Sequence, residues 1–358
     1  MNRLLARHAE CLFWLGRYVE RTASLSRILM VQTAFDRGRA EGTGWAWILT
    51  LYDEAPTFLK RYDSASGENV IRYYLTDVEN TGSIIRSLSA ARDNARALRA
   101  LVSTDFWIQI NRLYKRIQTL PESASTERRL AQTCEGIQTD CYALLGIAES
   151  TFYRDAGWRF FRLGVEIERA DQMSRLLDVR FAQLQTGTAG RGEMLGDFAF
   201  WSMLLRACGG HHAYRRLAPG PLDPMTIARF LIFDQSFARS IAYSARSIRR
   251  AETELRTVCN VPTPAGVLHS VADLTNTIQS ATSDERLLER LHTFNDAIQR
   301  ALGSVARELD QAYFMSDVTP PSDANESAPP TPPSTPIDPP GQSQVQTIHD
   351  IQQKQDQT

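Results

Sequence analysis

Apolar residues recur along this chain at intervals of three and four, in blocks separated by Gly, Pro and Ser clusters, which is the spacing of amphipathic helices. The first block, Arg7 to Phe35, reads as one long helix. Leu15, Tyr18, Val19, Leu25, Ile28, Leu29 and Met30 fall on one broad face, and Gly16, Arg17, Glu20, Ser24 and Arg27 fall opposite. Arg21 and Ser26 break the rule by pointing into the apolar arc. Further helices are expected over Trp45 to Lys60, from Thr81 or Ser83 to about Val102, and over Thr104 to Thr119, Ser125 to Ile147, Phe198 to Ala207, Ala238 to Thr257, Ala265 to Ser280 and Asp284 to Met315. Asn69 to Asp77 is a short aromatic segment between them. No block alternates with period two, so the predicted fold class is all-α.

The first block occurs twice. Phe13 to Val31 overlays Phe161 to Val179 without a gap, 148 residues apart, with identities at nine of 19 positions, among them Gly16/Gly164, Glu20/Glu168, Arg21/Arg169 and Arg27/Arg175. Trp45, Ile48 and Leu49 are matched by Trp201, Leu204 and Leu205, and Arg72 to Asp77 is matched by Arg229 to Asp234 at an offset of 157. Self-similarity at this scale predicts an internally duplicated helical bundle, residues 1–315, with pseudo-repeated halves of about 1–150 and 151–315. A duplicated unit suggests a pseudo-twofold axis that makes the two repeated helices neighbours. Nine of the sixteen prolines lie beyond Ser316 and a Gln-rich run follows them, so 316–358 is predicted to be a disordered tail.

Composition narrows the function classes. The 358 residues are 43% hydrophobic and 23% charged, with a net charge of −1. No overall field draws the chain to nucleic acid or to an anionic membrane. No apolar run is long enough to span a bilayer, and the N-terminus is too interrupted by charge for a signal peptide. The five scattered cysteines form no CxxC or Cys/His cluster and are read as reduced thiols of a cytoplasmic protein.

Candidate chemistry centres on the repeated charges. Glu20 and Arg27 share a helix face two turns apart, as do Glu168 and Arg175, whereas Arg21 and Arg169 lie toward the core. Charges set against a core need partners, so Glu20, Arg21, Arg27, Glu168, Arg169 and Arg175 form either an ion-pair network that fixes helix register or a polar pocket that grips a carboxylate, phosphate or peptide. Arg92, Asn94 and Arg96 are secondary binding candidates, since Arg92 and Arg96 share a face at i, i+4 and suit an anion; a solvated helix face is the plainer account. The Glu289-x-x-His292 spacing occurs once, where ferritin-like metal sites need two copies, and His211-His212 sits in a predicted loop without further ligands, so no metal and no cofactor is expected. No nucleotide-binding or hydrolase motif is present, and no catalytic residue is assigned.

The F-W-L-G-R-Y-x-E-R pattern at Phe13, W-R-F-F-R-L-G-V-E-I-E-R-A at Trp158, R-Y-Y-L-T-D at Arg72, A-R-D-N-A-R at Ala91 and N-R-L-Y at Asn111 together resemble the bacterial alpha-E family, all-helical proteins with a Glu-Arg motif. The resemblance spans about Met1 to Met315. Val165 departs from it, standing where the first copy has Arg17. The resemblance implies partnership with ATP-grasp proteins and transglutaminase-like peptidases in systems that make or cleave amide bonds on peptides. The expected role is therefore a non-catalytic helical adaptor. The alternative is an enzyme of amide-bond metabolism that uses a Glu/Arg pocket between the repeated helices.

Overall fold

The structure, a computed structural model, describes residues 4, 6–36, 44–121, 127–185 and 198–315. The expected Pro-rich tail lies outside the described residues. Among those described there are fourteen α-helices and no strand. In chain order they are α1 (Ala6–Asp36), α2 (Ala46–Leu51), α3 (Ala55–Leu59), α4 (Gly67–Leu75), α5 (Ile84–Ala97), α6 (Thr104–Gln118), α7 (Glu127–Thr151) and α8 (Ala156–Gln185). They continue with α9 (Phe198–Ala207), α10 (His211–Leu217), α11 (Pro224–Phe233), α12 (Ile241–Thr257), α13 (Ala265–Ser280) and α14 (Leu291–Leu309), which ends in a π turn, Asp310–Phe314.

Local chemistry explains most helix starts. Ser66, Ser83, Ser103 and Ser240 are all extended, and each side chain accepts a hydrogen bond from the backbone N–H three residues on, at the heads of α4, α5, α6 and α12. Each such cap stabilises its helix by about 1 kcal/mol. Asp223 does the same for α11, with Pro224 at the first helical position, where a missing N–H costs nothing. Four expectations need correction, the first being the helix from Asp284, which begins only at Leu291. The Trp45–Lys60 helix breaks in two because Asp53 takes φ 55°, outside the helical region, and Pro56 restarts the chain as α3. The helix beginning at Ser83 stops at Ala97, so that Ser103 can cap the next. His211 and His212 begin α10 rather than lying in a loop.

Two long helices, α1 and α8, form the centre. α1 packs against α8, α7 and α5, and α8 against α12 and α14 as well. Their close approach depends on two glycines. A Cβ on Gly16 would land on the Phe161 carbonyl oxygen, and a Cβ on Gly164 would land on the Phe13 carbonyl oxygen. Each FxLG segment thus presents its Phe carbonyl to the other's glycine. Glu20 and Glu168 follow their glycines by four residues, one turn, so both carboxylates point into the same seam.

Because α1 is surrounded, it has no solvent face of the expected kind. Gly16, Glu20, Ser24 and Arg27, read as the polar side, are buried, while Tyr18 and Met30 from the apolar arc are only half-buried. The assignment of Arg21 to the core and Glu20 away from it is therefore reversed. Glu20 is 0% exposed, whereas the Arg21 side chain is 24% exposed.

Candidate functional site

The α1/α8 seam holds two carboxylates, each gripped by guanidinium groups from the opposite side. Glu168 accepts from Arg21 through Nε (2.7 Å) and Nη2 (3.0 Å), from Arg17 Nε (2.8 Å) and from Gln172 Nε2 (3.1 Å). The Tyr52 hydroxyl donates to Gln172 Oε1 at 2.8 Å, tying α2 and its turn to this group. Glu20 accepts from Arg169 Nη2 (2.9 Å) and from Arg239 Nη1 (2.6 Å). The Arg169 Nη1 is shared with Glu166 and the Ala238 carbonyl. The two Glu-Arg dipeptides are thus exchanged across the seam: Arg21 serves Glu168, and Arg169 serves Glu20.

Electrostatics follow from this geometry. Burial alone would raise both carboxyls, but Arg169 and Arg239 outweigh it at Glu20, and Arg21 and Arg17 outweigh it at Glu168, holding each at about 2. Glu168 in turn raises Arg21 above the usual guanidinium range. A carboxyl held that low stays ionised at neutral pH and is a poor general acid or base. What the cluster does well is lock two helices in one register. On the outer side Arg17 lies over the Trp14 ring (5.1 Å to its centroid) and Arg21 over Tyr18 (5.9 Å).

The remaining two predicted residues do not pair with these carboxylates. Arg175 Nε donates to Asp171 at 2.9 Å on its own helix. Arg27 Nε donates to the Ala207 carbonyl at 2.8 Å, with longer contacts to Tyr142 Oη (3.5 Å) and Ser24 Oγ (3.4 Å). The seven-residue spacing that puts Glu20 with Arg27 and Glu168 with Arg175 does not yield ion pairs, because partners across the seam come closer.

The secondary candidates also separate. Arg92 donates to Asn111 Oδ1 (2.8 Å) and lies over Trp107 and Tyr114, whereas Arg96 meets Asp93 at 3.3 Å. They share no anion grip. Asn94 lines an open cleft of about 410 Å³ between α1 and α5 with Arg7, Glu10, Trp14, Tyr18 and Asp93.

Sequence reasoning missed Arg17, Arg239, Tyr52 and Glu54 as parts of the site. Glu54 is half-buried beside Tyr74 and Tyr73, and burial raises its carboxyl. Arg239 carried one readable signal, since it directly precedes Ser240, the counterpart of Ser83. His292 of the Glu289-x-x-His292 spacing lies in a group of possible metal ligands, but with partners other than Glu289. His292 Nδ1 lies 2.7 Å from Asp178 Oδ1, and Nε2 lies 3.8 Å from Asp296. These three are the group among the described residues whose ligand atoms lie within 4.8 Å of one another. In this arrangement each ring nitrogen faces a carboxylate, and the hydrogen bond to Asp178, with the charges of Asp178 and Asp296, raises the imidazole. No described helix is long and apolar enough to cross a membrane.

Comparison with known proteins bears on the seam directly. The family model Alpha-E, described as a predicted alpha-helical domain with a conserved ER motif, matches residues 4–314. Proteins titled uncharacterised from Mycobacterium bovis and Mycobacterium tuberculosis (strain CDC 1551 / Oshkosh) are 26% identical over 262 residues, which is 66% of this chain and 28% of each relative. The chain therefore spans little more than a quarter of the length of these relatives. No solved structure matches.

Proposed function

The chain belongs to the Alpha-E family, and from that premise we propose that it is a non-catalytic helical adaptor, with the Glu-Arg seam as its internal lock and its outer helices as the docking surface for an amide-forming ATP-grasp protein, a transglutaminase-like peptidase, or both. One observation carries the reading. The residues of the ER motif are consumed by one another: each glutamate takes its strong donors from the opposing side and stays ionised at about 2. Groups spent in this way support a scaffold better than a reaction. The relatives support it further, since in them the similar region is 28% of a longer protein, as expected of a module that works beside other domains.

We also infer that the two halves arose by duplication. The turns after α2 and α9 support this. Asp53 (φ 55°) and Gly209 (φ 71°) occupy corresponding positions, and the next N–H in each returns to Leu49 O and Leu205 O.

Tagged full-length protein purified from its native host tests the adaptor reading. The expected result is stoichiometric recovery of an ATP-grasp or transglutaminase-like protein, retained in Glu54→Gln. The competing reading, an amide-bond enzyme, is favoured by one group only, the half-buried Glu54 with its raised carboxyl beside two tyrosines. Turnover of ATP with amino acids or peptides by the isolated chain, lost in Glu54→Gln, would replace the adaptor reading with the enzymatic one.

A further inference from the structure

The two ends of the seam differ in how their surplus guanidinium is neutralised. Arg175, four residues after Asp171, has that carboxylate at 2.9 Å. The corresponding Arg27 has Ala23 at that position, 148 residues earlier. Arg27 is 5% exposed and, among the described residues, has no carboxylate within salt-bridge distance; its partners there are one carbonyl and two hydroxyls. Glu20, whose charge acts on Arg27, has one oxygen on Arg169 and the other on Arg239.

A second carboxylate is missing from the same end. At the spacing that pairs Trp45 with Trp201, Glu54 corresponds to Gly210, and the matching turn geometry at Asp53 and Gly209 supports that pairing. At the spacing that pairs Ser83 with Ser240, Gly82 corresponds to Arg239. Relative to the Glu168 end, the Glu20 end lacks the carboxylates of Asp171 and Glu54; Glu166, whose counterpart is Tyr18, is gained there but is held by Arg162 and Arg169 and not by Arg27 or Arg239. The Glu20 end has lost Arg17, to Val165, and has gained Arg239 in exchange.

The guanidiniums converge on the turn after α9. A Cβ on Gly209 would lie 3.2 Å from Arg239 Cδ and 3.7 Å from Arg27 Nε. Burial, and after it Arg239, depress Arg27 to about 10, and burial pushes the Cys208 thiol up to about 12 against the opposing charges of Arg27, Arg239 and Arg180. The negative pole of α9, through the Ala207 carbonyl, offsets part of one charge. An unpaired buried ion is expensive, and such a charge is best balanced by an opposite one with good hydrogen-bond geometry. Tyr142, 46% exposed, is the outermost of Arg27's three partners and its contact is the longest. Displacing its hydroxyl would open Arg27 Nη1 to solvent.

We propose that the Glu20 end of the seam is an oxyanion-binding site, in which Arg27 and Arg239 receive a carboxylate or phosphate group that enters past Tyr142 and supplies the negative charge that Asp171 and Glu54 supply at the other end. The site is independent of whether the chain acts as an adaptor.

Thermal unfolding and calorimetric titration of the full chain at constant ionic strength test it, with inorganic phosphate and glutarate as separate probes and chloride as the reference. Saturable binding of at least one probe is expected, together with a rise in Tm that chloride does not reproduce. Preference for phosphate identifies a phosphorylated ligand, and preference for glutarate a peptide or amino-acid carboxylate. Arg27→Met should weaken binding at least tenfold without lowering Tm in chloride. Tyr142→Phe, which leaves the core intact, should change the affinity by a smaller factor, and Arg175→Met should leave it unchanged. The proposal is overturned if neither probe saturates on the wild-type chain, or if Arg27→Met binds as tightly as wild type. Should Arg27→Met not fold, an affinity unmoved by Tyr142→Phe would overturn it equally.

Discussion

Glu20 and Glu168 hold equivalent places in one seam, are both fully buried, and are both gripped by two guanidiniums, yet those guanidiniums come from different parts of the chain. Glu168 takes both from α1, Arg17 and Arg21, in a fork that one helix pre-positions. Glu20 takes one from α8, Arg169, and one from the residue before the α12 cap, Arg239. Val165 stands where Arg17 would be, and its guanidinium has been replaced from a distant segment. The Glu168 end is consequently a two-helix lock, and the Glu20 end ties three pieces of chain together. Paired charge, rather than which residue supplies it, is what the seam requires.

The sharpest way to break this comparison is to neutralise each carboxylate in turn. Glu20→Gln leaves Arg239 and Arg27 without a carboxylate among the described residues and Arg169 with Glu166 alone, and is expected to cost about 5 kcal/mol in denaturant unfolding, at the top of the range for breaking a buried pair. Glu168→Gln leaves Arg17 and Arg21, both with partial solvent access and stacked on Trp14 and Tyr18, and should cost about 3 kcal/mol. Equal losses would mean that the two ends are energetically alike and that Arg27 adds nothing.

Acid titration addresses both groups together. Each folded carboxyl, at about 2, lies below its unfolded value near 4.5, so each contributes stability that is fully present above about pH 4.5 and is lost as pH falls toward 2. Stability measured from pH 6 to pH 2 should fall through that window, and each Gln variant should fall less steeply than wild type. A glycine variant probes the backbone approach that makes the seam possible. Gly164→Ala places a methyl group against the Phe13 carbonyl, and about 2 kcal/mol should be lost as α1 and α8 move apart. Double-mutant coupling between Gly164→Ala and Glu168→Gln should be strong, because the spacing of one sets the ion pairs of the other.

The helical class, the positions of most helices and the pairing of the two FxLG segments were legible, because periodicity and self-similarity are local or linear properties of the chain. The six charged residues could be named from the repeat, but not their partners. A helical wheel sets the wet side opposite the apolar arc, whereas α1, packed by α5, α7 and α8, is half-exposed along Trp14, Arg17, Tyr18 and Arg21 instead; the wheel therefore reverses Glu20 and Arg21. Arg239 and Tyr52 reach the seam from turns whose direction depends on single residues, Asp53 at positive φ and the Ser240 cap, and no periodicity reports on those. Glu54 lacked any motif and became visible only once Tyr73 and Tyr74 were placed around it.

Near the C-terminal end of α8, Asp178 provides the contrast to both buried carboxylates, since it pairs with His292 at 2.7 Å where the imidazole side chain is 64% exposed. The hydrogen bond to Asp178, with its charge and that of Asp296, raises the imidazole above its ordinary value. A raised folded pKa contributes stability that is present below the unfolded value near 6.5 and is lost as pH rises through the folded one. Solvent screens such a pair, so His292→Ala should cost only on the order of a few tenths of a kcal/mol at pH 6 and still less at pH 8. Asp178→Asn should move the His292 titration, followed by NMR, toward the ordinary histidine value. The same stability assay that separates Glu20 from Glu168 should hardly register this third pair, and a loss rivalling either glutamate would mean that α14 depends on it for docking to α8.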